Sequence, residues 1–239
     1  MRLPIHGWVK TSLLDYPGHI ASSIFLAYCN FKCPYCHNPD LVLVPPGKEP
    51  LCSEEEVIGY LSRYRKGLDG ICVSGGEPLL HGGVPEFLRA VRSVGLKVKI
   101  DTNGSCPDRL AQILSQGLAD YVAMDIKGPL DKMTGITRTS IPADDLKHLV
   151  NDSVAILKDN PIDYEFRMTV VPGLHAEEDF DEIGRWLQGS RRFVVQQFRP
   201  QHTLDPSYAF VKPFSPRYLE QIALRMKDYF EDCTVRGIG

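Results

Sequence analysis

The sequence predicts an α/β fold in which parallel strands alternate with helices, and three observations lead to that prediction. Short apolar or β-branched segments alternate with longer helical patterns along the chain. Several of the helical patterns begin with residues that favour a helix start. Distinctive polar residues follow directly after the strands. Such a chain forms either an open doubly wound sheet or a complete or partial barrel, joined by right-handed crossovers.

Six strands and six helices are expected. The strands are Ser22–Tyr28, Gly70–Val73, Lys97–Ile100, Tyr121–Met124, Tyr164–Val171 and Phe193–Phe198. The helices are Ser53–Tyr64, Val84–Val94, Pro107–Gln116, Ala143–Lys158, Ala176–Gln188 and Ser215–Phe230. Ser53 precedes three glutamates that favour the positive end of a helix, and Pro107 and Pro216 suit a first helical position. The composition does not shift along the chain, so a single domain over residues 1–239 is predicted.

Composition excludes several classes of protein. The 239 residues are 43% apolar and 24% charged, which excludes disordered, collagen-like and coiled-coil chains. The 27 basic and 30 acidic residues give a net charge of −3, which gives no reason to expect nucleic acid or an anionic membrane as partner. The longest apolar run, Ile24–Cys29, is too short to span a bilayer, and the N-terminus lacks the apolar segment of a signal peptide. A cytoplasmic location is therefore predicted.

Five polar segments follow the predicted strands. They are Ser74-Gly75-Gly76-Glu77-Pro78, Asp101-Thr102-Asn103-Gly104, Asp125-Ile126-Lys127-Gly128, Pro172-Gly173-Leu174-His175 and Arg199-Pro200-Gln201-His202. Glycine, proline, aspartate and asparagine are also ordinary turn residues, so any one segment could simply be a turn. Because ligands bind where the carboxyl ends of parallel strands converge, the five together favour one shared site.

Three of the seven cysteines, Cys29, Cys33 and Cys36, lie within eight positions after the first predicted strand. A redox dithiol, a covalent haem site, a zinc site and an iron–sulfur cluster are the four candidate interpretations. The dithiol leaves Cys29 unexplained, haem attachment normally follows export, and structural zinc normally takes four protein ligands. An electron-transfer ferredoxin normally supplies four thiolates to a [4Fe–4S] cluster. Three thiolates would therefore leave one iron open to another ligand. The cluster is the favoured interpretation.

The spacing Cys29-x₃-Cys33-x₂-Cys36, with Tyr35 inside it, resembles the signature of the radical S-adenosylmethionine (SAM) superfamily. Further segments resemble the glycyl-radical-enzyme activases within it, and the similarity runs from about residue 7 to residue 202. These segments are Asp15-Tyr16-Pro17-Gly18, the run ending at Pro39, Ser74–Pro78, Asp101–Gly104, Met124–Lys127, Arg167, Val170–Gly173 and Pro200–His202. The opening Trp8–Gly18 resembles most the activating proteins of anaerobic ribonucleoside-triphosphate reductases.

The resemblance implies an incomplete (β/α)₆ TIM-like barrel with a core at about 20–202, a C-terminal helix at about 215–230 and the site at its mouth. The three cysteines would ligate one [4Fe–4S] cluster, and SAM would chelate the fourth iron. Reductive cleavage of SAM would then let the protein abstract hydrogen from a glycine of a partner glycyl radical enzyme. Anaerobic ribonucleotide reductase is the first expected partner, and flavodoxin or ferredoxin the electron donor. Another glycyl radical enzyme, a small molecule or RNA are alternative substrates, and a non-catalytic metal-binding or electron-transfer protein is the alternative class.

The resemblance also implies contacts to SAM. The implied residues are Tyr35, His37, Gly75, Gly76, Glu77, Asp101, Asp125, Lys127, Arg167 and His202. A packed core tyrosine is the alternative for Tyr35, and a salt bridge to a neighbouring strand is the alternative for Arg167. A monovalent cation is a further implied ligand near Asp101, Thr102 and Asp125. The turn Asp15–Gly18 and the long connection Gly128–Pro142 are predicted to form the rim that contacts the partner.

Overall fold

The computed structural model describes residues 2–45 and 47–238, and these residues form one sheet of eight strands that pair in chain order. The strands are β1 Ile5–Ser12, β2 Ala21–Leu26, β3 Gly70–Gly75, β4 Lys97–Thr102, β5 Tyr121–Asp125, β6 Asp163–Val170, β7 Arg192–Gln197 and β8 Asp232–Arg236. β1 pairs antiparallel with β2, and every later pair is parallel. Over the described ranges, β1 and β8 are the two edges, so the sheet is not closed.

Helices cross over between the parallel strands. They are α1 Pro39–Val42, α2 Glu54–Tyr64, α3 Val84–Val94, α4 Pro107–Ser115, α5 Met133–Thr137, α6 Ala143–Lys158, α7 Glu177–Leu187 and α8 Pro216–Met226. Two short 3₁₀ turns lie at Pro78–Leu80 and Pro206–Phe210. Each of β2 to β7 is followed by at least one helix, which confirms the predicted incomplete (β/α)₆ barrel. In the part of the chain that the structure describes, no helix has the length and apolar character that a membrane crossing requires.

The predicted helix starts are confirmed in detail. The Ser53 hydroxyl accepts the backbone N–H of Glu56 at 3.2 Å, and the Glu56 carboxylate accepts the backbone N–H of Ser53 at 2.7 Å. This reciprocal pair satisfies two N–H groups that the first turn of α2 leaves without helical partners. Pro107 and Pro216 occupy the first positions of α4 and α8.

The edges of the sheet were not predicted. β1 shows no clean alternation of apolar and polar residues, because its burial decreases along the strand, from buried Ile5 to exposed Val9, Lys10 and Thr11. β8 is short and begins and ends with charged residues. The prediction that the last helix runs to Phe230 is wrong, since α8 ends at Met226. Phe230 instead packs its ring 4.9 Å from that of Phe193 on β7, so its apolar character reflects the core and not a helical face.

The connection between β1 and β2 closes the lower end of the barrel. Tyr16 is 2% exposed, and its ring centre lies 5.8 Å from that of Tyr121, the first residue of β5. Site residues follow the opposite, carboxyl ends of the strands. The prediction that the turn Asp15–Gly18 lies on the rim of the mouth is therefore wrong. The Asp15 carboxylate points into the barrel and accepts the Ser23 hydroxyl at 2.6 Å.

Candidate active site

A cavity opens at the carboxyl ends of the strands. It is lined by Asp15, Phe25, Cys29, Phe31, Cys33, Tyr35, Cys36, His37, Asn38, Val42, Ser74, Gly75, Gly76, Asp101, Thr102, Asn103, Asp125, Lys127, Arg167, Thr169 and Gln196. All three cysteines of the predicted cluster are among them, as are eight of the ten predicted SAM contacts. The structure thus brings together residues from the six strands β2 to β7, from the loop after β2 and, through Asp15, from the connection between β1 and β2.

The cluster loop, residues 27–38, is held from several sides. Lys32 donates its backbone N–H to the carbonyl of Thr137 at 2.7 Å, in the connection after β5. Leu204 and Asp205, in the segment after β7, each donate to the loop at 2.9 Å, to the carbonyls of Cys36 and Pro34. The loop therefore has a fixed path although it contains no helix or strand. The connection Gly128–Pro142 lies beside the cluster loop, as its predicted place at the mouth requires.

The donor set of the loop fits an iron–sulfur cluster. Cys29, Cys33 and Cys36 are free thiols, and burial raises the pKa of Cys29 to about 12 and that of Cys33 to about 11. Cluster binding must therefore displace the protons of buried thiols, since iron binds the thiolate. Across residues 2–45 and 47–238, no three His, Cys, Asp or Glu side chains are arranged to hold a single metal ion. Three thiols lining one cavity, without a fourth cysteine there, suit a cluster that keeps one iron open to a ligand.

Gly75 and Gly76 allow β3 to end against the cluster loop. A Cβ at Gly75 would lie 2.2 Å from the carbonyl oxygen of Leu26, and one at Gly76 would lie 2.1 Å from that of Tyr28. Gly75 also has a φ of +132°, which other residues rarely adopt. The backbone N–H of Gly76 donates to the carbonyl oxygen of Leu26 at 2.8 Å, the same oxygen that a Cβ at Gly75 would meet. These two glycines are required by the backbone of this chain itself, a reason that the sequence did not reveal.

Five charged side chains form a network across the strand ends. Arg167 on β6 contacts Asp101 on β4 at 3.2 Å and also binds Asp125 on β5. Lys99 binds Asp101, and Lys127 lies 3.1 Å from Asp125. The salt bridge considered for Arg167 is therefore present, and it joins three strands. Asp15 also lines the cavity, so three positive groups lie near three carboxylates. Lys127 and Arg167 are the two positive groups that line the cavity, and they could bind an anionic group such as a carboxylate.

The network keeps its members charged. Burial alone would raise the pKa of Asp101, but Arg167 and Lys99 outweigh it and hold that pKa below its usual value. The pKa of Asp125 is lowered in the same way by Arg167 and Lys127. Burial would lower the pKa of Lys127, yet Asp125 outweighs it and raises that pKa. Because the basic groups already compensate both carboxylates, this arrangement does not favour the implied monovalent cation between them.

Two of the predicted SAM contacts do not line the cavity. Glu77 is fully buried behind it, and its carboxylate accepts the Asn103 backbone N–H at 2.6 Å and the Thr102 hydroxyl at 2.8 Å. Burial raises the pKa of Glu77 to about 7. Its contacts fix the end of β4 against the end of β3. His202 has a side chain 63% exposed, and its Nε2 lies 3.0 Å from the carboxylate of Asp40.

Sequence reasoning missed several residues at the site. Asn103 lies within one of the polar segments but had no assigned role, and Thr169 and Gln196 lie on strands where their types carry no distinctive pattern. His175 ends one of the polar segments and is 5% exposed. Its Nδ1 accepts the backbone N–H of Val171 at 2.9 Å, and burial lowers its pKa to about 4. Its position shortly after the end of β6 is the sequence feature that could have indicated a place near the site.

Comparison with known proteins agrees with this geometry. The model of the radical SAM superfamily matches residues 23–187. A "Putative glycyl-radical enzyme activating enzyme" of Methanocaldococcus jannaschii is 32% identical over 100% of this chain and 98% of its own. The pyruvate formate-lyase-activating enzyme of Clostridium pasteurianum is 30% identical over 84% of this chain and 82% of its own.

Solved structures show the same fold at low sequence identity. A radical SAM methyltransferase from Sphaerobacter thermophilus superposes with a TM-score of 0.67, at 14% identity, over 93% of this chain and 68% of its own. SuiB of Streptococcus suis gives a TM-score of 0.63 at 15% identity over 89% of this chain, which spans about half of SuiB. The matched family model and the full-length relative together show that this chain belongs to the radical SAM superfamily and, within it, to the glycyl-radical-enzyme activating enzymes.

Proposed function

We propose that this protein generates a glycyl radical on a partner enzyme, using a [4Fe–4S] cluster bound by Cys29, Cys33 and Cys36 together with SAM. The observation that carries the proposal is the joint position of the three free thiols and the charged network in one cavity at the barrel mouth. Among the described residues, the other four cysteines do not line this cavity. The donor set thus leaves one iron for the amino and carboxylate groups of SAM.

When bound, the cluster would supply the electron for reductive cleavage of SAM, the source of the radical that would take hydrogen from a glycine. Lys127 and Arg167 line the cavity and would bind the SAM carboxylate, and their pairing with Asp125 fixes their positions. Tyr35 is buried, and burial raises its pKa, so its neutral ring offers an apolar surface for the adenine. His37, Gly75 and Gly76 complete the cofactor side of the cavity.

A protein substrate fits the open mouth, because the reactive radical must stay in the cavity and the glycine must come to it. The connection after β5 and the segment after β7 flank the cluster loop and are joined by Arg138 and Asp205 at 3.0 Å. We infer that these segments contact the partner. Anaerobic ribonucleotide reductase is the proposed partner, supported by the resemblance of Trp8–Gly18, and flavodoxin or ferredoxin is the proposed electron donor in the cytoplasm. A pyruvate formate-lyase is the second candidate partner, since relatives named for that activity match most of the chain.

The test mixes anaerobically reconstituted protein with reductant, SAM and purified anaerobic ribonucleotide reductase. A doublet electron paramagnetic resonance signal is expected on the reductase, and replacing its target glycine by alanine should abolish that signal. The Cys33→Ala variant should lose the four-iron cluster and the signal, whereas Cys233→Ala should keep both. If SAM is cleaved but no radical forms on the reductase or on a pyruvate formate-lyase, a small-molecule radical enzyme replaces this proposal.

A further inference from the structure

The side chain of Asn103 lies against the first cysteine of the cluster loop. It follows the carboxyl end of β4 and is 5% exposed. Its Nδ2 is 3.8 Å from the Sγ of Cys29, and the backbone N–H of Phe31 donates to the same sulfur at 3.4 Å. Cys29 therefore faces a side-chain amide donor as well as a backbone donor.

A closed ring of three side chains fixes the orientation of that amide. Asn103 Nδ2 donates to Asn30 Oδ1 at 3.0 Å, Asn30 Nδ2 donates to Ser105 Oγ at 2.7 Å, and Ser105 Oγ donates to Asn103 Oδ1 at 2.6 Å. The backbone N–H of Ser105 also donates to Asn103 Oδ1 at 2.9 Å, so the amide oxygen cannot exchange places with the nitrogen. Nδ2 carries two hydrogens, and the ring uses one. The other is left for Cys29.

The end of β4 is itself held in place. The backbone N–H of Asn103 donates to the buried carboxylate of Glu77 at 2.6 Å, and the carbonyl of Gly104 accepts the Ser153 hydroxyl at 2.7 Å. The carbonyl of Asn30 accepts the Thr139 hydroxyl at 2.9 Å. Residues outside the ring thus fix both the end of β4 and the cluster loop. Such supporting hydrogen bonds hold a functional donor in one orientation.

We propose that Asn103 is a positioning residue that raises the reduction potential of the cluster by donating a hydrogen bond to the Cys29 thiolate. This inference rests on the proposed cluster. A ligating thiolate gains negative charge when the cluster takes up an electron, so a fixed N–H dipole stabilises the reduced form more than the oxidised form. The buried setting strengthens that interaction. The donor brings a low-potential cluster within reach of the electron donor protein.

The test is a potentiometric titration of the reconstituted protein, followed by electron paramagnetic resonance without SAM or partner. Asn103→Leu removes the donor at similar size and should lower the potential by about 59 mV, a tenfold smaller reduction constant for one electron. Ser105→Ala opens the ring but keeps the amide, so a smaller shift in the same direction is expected. Asn151→Leu, a matched control on α6 whose side chain accepts from Trp186, should keep the wild-type potential. Iron and sulfide contents are measured for each variant.

A wild-type potential in Asn103→Leu with full iron and sulfide overturns the proposal. If that variant lacks the cluster, Ser105→Ala decides, and an unchanged potential there overturns the proposal as well. Loss of the cluster from both variants also overturns it, because Asn103 would then be needed for assembly and not for tuning. A lowered potential in a protein that forms no glycyl radical supports this inference and contradicts only the proposed partner reaction.

Discussion

Replacing Arg167 by Gln tests whether the charged network stabilises the barrel. The Arg167 side chain is only 14% exposed, and its guanidinium contacts the carboxylates of Asp101 and Asp125. A hydrogen bond to a charged group contributes about 1.5–3 kcal/mol, and breaking a buried ion pair costs about 3–5 kcal/mol. Since Lys99 and Lys127 remain beside the two carboxylates, the lower end applies. The free energy of unfolding should fall by about 3 kcal/mol at pH 7.

The loss of stability caused by Arg167→Gln should depend on pH. In the wild type the pKa of both carboxyls is held below the usual 3.8, so the network stabilises the fold fully at neutral pH and loses this effect as pH falls below that value. In the variant, burial without Arg167 raises both pKa values, and the carboxyls can take up protons on acidification. The difference in stability between the two proteins should therefore narrow from pH 7 to pH 4.

Urea unfolding of the cluster-free chain, monitored by circular dichroism, measures this difference. With a slope of about 3 kcal/mol per M, the midpoint should shift by about 1 M. Arg92→Gln is the matched control, because Arg92 pairs with Asp120 at an exposed site and should contribute less than about 1 kcal/mol. A shift for Arg167→Gln no larger than that of the control, or a difference that stays constant between pH 7 and pH 4, would refute the reasoning.

Three further predictions concern the same cavity. Gly76→Ala should prevent cluster incorporation, measured as iron content, because its Cβ would meet backbone atoms of the cluster loop, whereas Gly59→Ala on α2 meets nothing within 4 Å and should raise the melting temperature slightly. His175 should stay neutral down to pH 5 in ¹⁵N nuclear magnetic resonance, because burial lowers its pKa to about 4; stability from its neutral form is then lost as pH falls from 6.5 to 4. Lys127→Ala should weaken SAM binding about ten- to a hundred-fold by calorimetry while iron content is unchanged, and equal affinity would place the carboxylate elsewhere.

The helices and central strands could be predicted because their signals lie in residues close together in the sequence. Val84–Val94 and Ala143–Lys158 were predicted with their observed bounds, because amphipathic spacing and acidic first turns act within a few residues. β1 and β8 were missed because edge strands are half solvated and their pairing depends on distant partners. The partial closure of the barrel is likewise a property of the whole sheet.

At the site, local spacing identified the cysteines, and their shared cavity agrees with that prediction. Side-chain partners were harder to predict. Glu77 stands in a distinctive segment, yet its buried carboxylate holds Asn103 and the end of β4. For Arg167 the sequence leaves a ligand contact and a salt bridge open, and in the structure the side chain bridges two carboxylates from separate strands. Such pairings join strands that are far apart in sequence, so no local pattern encodes them.

The anchoring of the cluster loop sets the order in which this protein can mature. Lys32 is bound by Thr137, and Pro34 by Asp205, across more than 100 positions of chain. Closing such long loops costs entropy that is recovered only when the intervening strands have assembled. The three thiols thus acquire their final arrangement after nearly the whole chain has been made and folded. We therefore expect iron and sulfide to enter the folded barrel, and we expect a chain truncated before residue 204 to lack the contacts that position the three cysteines.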